Sequence, residues 1–160
     1  MLKSLRDGGT FLLNTEFSKE EIVNYLPNKI KKQLADKHAK FYIINANDIA
    51  QKIGMGRRTN TILQSAFFAL NPQILPIEES IEFMKAAAKK SYSKKGEEIV
   101  KLNYIAIDQG KDAIEEVAVD PSWSDLTVTS RRQRTGDDHF DNFVSIINKL
   151  DGYDLSLIHI

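Results

Sequence analysis

Apolar positions come in short unbroken runs near the start of this chain and at helical spacing through its middle. Two glycines lead into Phe11–Asn14 within GGTFLLNT (Gly8–Thr15), which predicts a tight turn feeding a buried strand. Lys40–Ala46 (KFYIINA) is similar, rich in aromatic and β-branched residues, with Asn47 or Asp48 placed to cap whatever follows. Between the runs, Ser18 and Glu21 have capping-box spacing. Ile22, Tyr25 and Leu26 share a helical face until Pro27 interrupts, and Ile30 and Leu34 continue it in a second piece. Strand, helix, strand, helix is the grammar of an α/β domain with a parallel sheet and right-handed crossovers. Two strands alone make a poor sheet.

The middle of the chain predicts helices over Asn47–Ile53, Thr59–Leu70 and Ile77–Tyr92. In the last, Ile77, Ile81, Met84 and Ala88 form the apolar face while Glu78, Glu82 and Lys85 face out. The helix from Thr59 differs: Ile62, Leu63, Ala66, Phe67, Phe68 and Leu70 leave little polar surface, so burial on most sides is expected. After Gly96, a face of Ile99, Leu102, Ile105 and Ala106 predicts another helix, broken or bent near Gly110, resumed through Ala113 and Val117 and ended by Pro121. From Pro121 to about His139 no period persists, which reads as a linker anchored by Trp123. A last short helix is expected at Phe140–Leu150, and no repeats are evident.

Composition narrows the function. The 160 residues are 42% hydrophobic and 28% charged, ordinary for one folded domain. The 22 basic and 22 acidic residues cancel, so nothing global attracts nucleic acid or an anionic membrane, and any anion site must be local. There is no cysteine, which removes disulfides, thiolate zinc sites and iron–sulfur ligation from this chain. No run approaches the roughly 20 apolar residues that a membrane helix needs, and the N-terminus lacks a signal-peptide pattern. A soluble, cytoplasmic chain is expected.

The most chemical stretch is IGMGRRTNT (Ile53–Thr61). Gly54 and Gly56 end one helix, and Arg57, Arg58, Thr59 and Asn60 open the next. Such a junction joins unpaired N–H groups, a positive helix end and two guanidinium groups, which suits a phosphate or carboxylate. The plainer reading is a glycine C-cap followed by an N-cap, with the arginines solvated. Neither a Walker nor a Rossmann fingerprint is present. SRRQR (Ser130–Arg134) runs straight into Asp137 and Asp138 with no interleaved aromatics, so it reads as solvated linker rather than nucleic-acid contact. His38, His139 and His159 are too scattered for a metal site or triad, and GDDH (Gly136–His139) sits in the linker. Glu20–Glu21 and Glu115–Glu116 are expected on helix surfaces.

Four stretches carry a resemblance: GGTFLLNT; KFYIINANDIAQKIGMGRRTNTILQSAFFAL; ILPIEESIEFMKAAAKKSYSKKGEEIVKLNYIAID; and VAVDPSW. Over most of Gly8–Trp123 they resemble the gamma-type domain of pyruvate:ferredoxin (flavodoxin) oxidoreductases, including R-x-N-T-x-x-Q-x-A-F-F and I-L-P in order. The resemblance implies an incomplete, helix-rich, Rossmann-like three-layer α/β domain whose first strands are missing. It further implies a multidomain, homodimeric enzyme that decarboxylates pyruvate on thiamine diphosphate with Mg2+. Electrons would pass through [4Fe–4S] clusters to ferredoxin or flavodoxin, and the acetyl group to coenzyme A. The gamma-type domain is associated with coenzyme A binding and with packing against the thiamine domains.

On that resemblance Arg58, Asn60 and Thr61, which fall on R-x-N-T, are candidates for a coenzyme A or interdomain face, while Arg57 sits where the pattern varies. No catalytic or metal-ligating residue is expected in this segment, which alone should be inactive. The implied organisation is residues 1–120 as the partial gamma-type domain and 121–155 as linker and short helix leading to an iron–sulfur domain. Residues 156–160 are expected to be a sequencing-adapter artefact, because LSLIHI can be back-translated as CTG TCT CTT ATA CAC ATC, a transposon-end adapter. Two alternatives stay open: another 2-oxoacid:ferredoxin oxidoreductase, or a free-standing α/β module binding a nucleotide-like anion at Gly54–Thr61.

Overall fold

The computed structural model describes residue 2 and residues 5–128, which divide into two compact units. The first takes residues through 13, 17–42 and those from 116 on; the second takes 14–16 and 43–115. Expectations for SRRQR, GDDH, His139, His159 and the helix at 140–150 lie outside the described residues.

Strands β1 (Thr10–Asn14), β2 (Lys40–Ile44) and β3 (Glu115–Val117) form one small mixed sheet in that order. Lys40 N–H donates to the Gly9 carbonyl and Thr15 N–H to that of Ile44, each at 2.9 Å, so β1 and β2 rise together as a parallel pair. Phe11, Leu12 and Leu13 are all buried, as an apolar run covered on both faces must be. The Phe11 and Phe41 rings stack at 5.5 Å. An α/β domain rich in helix is therefore what the chain forms.

The crossover between β1 and β2 is two helices, α1 (Lys19–Tyr25) and α2 (Asn28–Asp36), divided at Pro27 as the sequence predicts. Ile22, Leu26, Ile30 and Leu34 are buried. At the end of α2 the Lys37 ammonium donates to the Leu2 and Leu5 carbonyls, tying the segment before β1 to the helix. Trp123 is buried in a 3-10 turn at Pro121–Asp125, with Lys31 Nζ 5.5 Å from its ring centre. The start of the expected linker, Pro121–Asp125, is this 3-10 turn, which Asp120 caps by accepting from Ser122 N–H at 2.8 Å.

The second unit is built from α3 (Ala46–Lys52), α4 (Asn60–Leu70), α5 (Ile77–Tyr92) and α6 (Glu97–Asp112). Asn45, not Asn47 or Asp48, caps α3 by accepting from Asp48 N–H at 3.0 Å, and β2 accordingly stops at Ile44. The Asn14 side-chain oxygen accepts from Ala46 N–H at 3.0 Å, fixing the first turn of α3. Met84, Ala88 and Ile107 form a core cluster with Phe68, Ile81, Tyr92 and Tyr104 packed around it.

Several expectations change here. Helix α6 continues unbroken through Gly110 to Asp112, and that glycine lets α4 pass close: a Cβ there would lie 2.4 Å from the Ile62 carbonyl oxygen. The buried face of α6 is therefore Val100, Asn103, Ala106, Ile107 and Gly110, leaving Ile105 exposed. Beyond Ala113 the chain enters β3 rather than more helix, so Glu115 and Glu116 are exposed strand residues. Finally, α4 buries Ile62, Ser65 and Ala66 fully, while Leu63, Phe67, Phe68 and Leu70 are only half-buried. Lys85 is half-buried as well, its ammonium 2.9 Å from the Asp108 carboxylate of α6.

Candidate functional site

The junction from Gly54 to Thr61 has the shape its sequence suggests. Gly54 and Gly56 both have positive φ, 84° and 62°, with open space where a Cβ would point, so they reverse the chain cheaply between α3 and α4. Met55 between them is buried and its amide N–H returns to the Ala50 carbonyl at 2.8 Å, closing the end of α3.

Arg58 curls back on this turn. Its backbone N–H and its Nε–H both donate to the Met55 carbonyl, at 3.2 and 3.3 Å. That fixes the root of an exposed guanidinium whose two terminal amino groups have no hydrogen bond among the described residues. Asn60, the first residue of α4, is also exposed, and Arg57 beside them is exposed.

Thr61 points elsewhere. Its hydroxyl donates to Asn103 Oδ1 on α6 at 3.1 Å, and Asn103 Nδ2 in turn donates to the Ile99 carbonyl at 2.8 Å. Asn103 is only 1% exposed, so this buried amide is a latch between two helices. Sequence reasoning missed it, although the signal was there: Asn103 sits three residues after Val100 and four before Ile107, in phase with a buried face. The three residues of R-x-N-T are thus brought to one junction but not to one surface.

Electrostatically, α4 begins without anionic compensation. Thr59 makes no side-chain cap and the first turn carries no acid, whereas α5 and α6, also without side-chain caps, have Glu78 and Glu79 or Glu97 and Glu98 there. The first turn of α2 lacks an acid too, but it follows α1 directly through Pro27. At α4 the positive helix end and two arginines stand together, an arrangement fit for a phosphate or carboxylate. Among the described residues there is no group of three or more acidic or histidine side chains that could hold a metal ion. No described helix is long and apolar enough to cross a membrane.

Fold and junction together define a helix-rich α/β segment with an exposed, basic helix start. Residues 1–113 match the family model for pyruvate ferredoxin/flavodoxin oxidoreductase, and the chain belongs to that family. Among curated relatives, the pyruvate:ferredoxin oxidoreductase of Moorella thermoacetica is 38% identical over 97% of this chain, which covers 13% of that protein. The pyruvate-flavodoxin oxidoreductase of Trichormus variabilis is 43% identical over 73% of the chain and 10% of that protein. The pyruvate dehydrogenase [NADP(+)] of Cryptosporidium parvum is 41% identical over 76% of the chain and 6% of that protein. The chain therefore spans about a tenth of the length of the relatives it matches.

Proposed function

We propose that this chain is a segment of an enzyme that oxidatively decarboxylates pyruvate with coenzyme A, giving acetyl-CoA and CO2 and reducing ferredoxin or flavodoxin. The observation that carries the reading is the family match across residues 1–113. Identity is similar, between 38% and 43%, to relatives named for ferredoxin, flavodoxin and NADP(+). The segment is about equally similar to all three, so its identity does not single out one acceptor.

Within that enzyme, residues 1–120 form a partial gamma-type domain and residues 121–155 lead toward an iron–sulfur domain. Thiamine diphosphate, Mg2+ and the [4Fe–4S] clusters are held by other domains, in keeping with a chain that has no cysteine. The whole enzyme is a cytoplasmic homodimer. Arg58 and Asn60 contact the phosphates of coenzyme A, because their polar groups are exposed beside the unscreened start of α4. Thr61 is a positioning residue, since its hydroxyl is committed to Asn103.

The test uses the full-length enzyme. Arg58→Ala and Asn60→Ala should each raise KM for coenzyme A, Arg58→Ala by about tenfold as the loss of a charge-assisted hydrogen bond implies, with KM for pyruvate unchanged. Unchanged coenzyme A kinetics, or equal effects on both substrates, would overturn the contact assignment. The isolated chain should not turn over pyruvate with coenzyme A and a redox dye. Turnover there would overturn the segment reading itself.

A further inference from the structure

Helix α5 buries one face and leaves another uncovered. Glu79, Phe83, Ala86, Ala87, Lys90 and, in the 3-10 turn that continues the helix, Lys94 are all exposed. Steps of three and four residues place them on one stripe. Phe83, at 65% exposed, is the most uncovered large apolar side chain among the described residues. None of Glu79, Lys90 and Lys94 makes an ion pair among the described residues.

An acidic first turn and a basic last turn suit the dipole of α5 by themselves. The dipole does not explain an aromatic ring left in water at mid-helix, nor why the charges and the ring share one stripe. A second copy of the stripe explains both. Laid antiparallel with the two-fold axis between Ala86 and Ala87, the stripe matches itself residue for residue. Glu79 then faces Lys94 of the other copy, Phe83 faces Lys90, and the two small residues fall where the helices cross. Each pairing occurs twice, as an isologous contact requires. The ion pairs are opposite in sign, each lysine on a ring is a favourable cation–π arrangement, and alanine at the crossing permits close approach.

We infer that the exposed stripe of α5 is a self-association surface, which binds a second copy of this chain through an antiparallel α5–α5 contact. The stripe spans 16 residues from Glu79 to Lys94, about 22 Å end to end at ~1.5 Å per step, so the contact is small and the dimer weak. It needs neither coenzyme A nor the rest of the enzyme.

Sedimentation velocity of the chain across about 10 μM to 1 mM tests it, a span set by the weak affinity of so small an interface. The unaltered chain should shift from monomer toward dimer, and added salt should reverse the shift. Glu79→Lys and Lys94→Glu each set like charges face to face and should weaken association by about tenfold or more. Mixed together, the two variants should associate as the unaltered chain does, because each restores the other's partner. Phe83→Ala should weaken association in both settings. All three positions are exposed, and circular dichroism confirms that each variant is folded. A chain that stays monomeric throughout overturns the inference. So does association indifferent to both charge reversals, as pairing through an open sheet edge would be, or reversals that the mixture fails to rescue.

Discussion

Helix α1 begins with Ser18 and Glu21 each answering the other's backbone N–H, at 2.9 and 3.3 Å, whereas α4 begins after two left-handed glycines with a Thr59 whose side chain caps nothing. The first start is secured by residues three apart in the chain. The second is secured by α6, more than forty residues away, through Thr61 on Asn103, Ser65 on the Ile107 carbonyl and the close approach of Ile62 to Gly110. A locally secured start spends its polar groups on itself. One held from behind by another helix keeps its front open, which is what a ligand-facing helix end requires.

The hardest blow to that arrangement falls on Gly110. Alanine there would set its Cβ 2.4 Å from a main-chain oxygen, which cannot swing away as a side chain can. Separating α4 from α6 to make room should cost about 3 kcal/mol, seen as a fall in the midpoint of chemical denaturation. If Gly110→Ala were as stable as the unaltered chain, α4 would not depend on that contact.

A smaller loss is expected at Asn103. Asn103→Ala removes the amide that receives Thr61, frees a carbonyl at Ile99 and leaves a small void, for about 2 kcal/mol of stability. Thr61→Val should cost less in that background than alone, because the partner has already gone. A double-mutant cycle reads the coupling directly, at about 1 kcal/mol, and additive effects would mean that the latch does not operate.

The same contrast explains what could be read from the chain alone. The capping box at Ser18, the Pro27 break, the first two strands and the two-glycine reversal are local patterns, and all appear in the structure. The face of α6 is not local. It carries enough apolar residues to bury either of two overlapping stripes, and the choice is made by a glycine and a buried asparagine that a count of hydrophobic positions ignores. β3 is too short, at three residues, for alternation to show. The end of β2 moved because Asn45 and Asn47 are both good caps by type, and Asn14, distant in sequence, holds the turn that uses Asn45. At the candidate junction the residues were legible, but Thr61 turns inward for a partner that no motif names.

The mildest effect belongs to α1 and separates the two starts by pH. The Ser18 backbone N–H, and then its hydroxyl, hold the Glu21 carboxyl below its usual value of 4.5. A carboxyl whose pKa is lower folded than unfolded adds stability that is fully present above the unfolded value. That stability is lost as pH falls through the folded one. Acidification below about pH 4.5 should therefore loosen α1 through this group, while the start of α4, with no acid in its first turn, has no counterpart. Glu21→Gln should lose that part of the acid dependence while keeping a weaker, uncharged cap. Ser18→Ala should remove both hydroxyl contacts, lower stability by about 1 kcal/mol near neutrality, and return Glu21 toward its ordinary titration. Carboxyl titration by NMR reads this at the residue itself: a Glu21 that titrates identically with and without the Ser18 hydroxyl would show that the reciprocal cap is not what distinguishes the two helices.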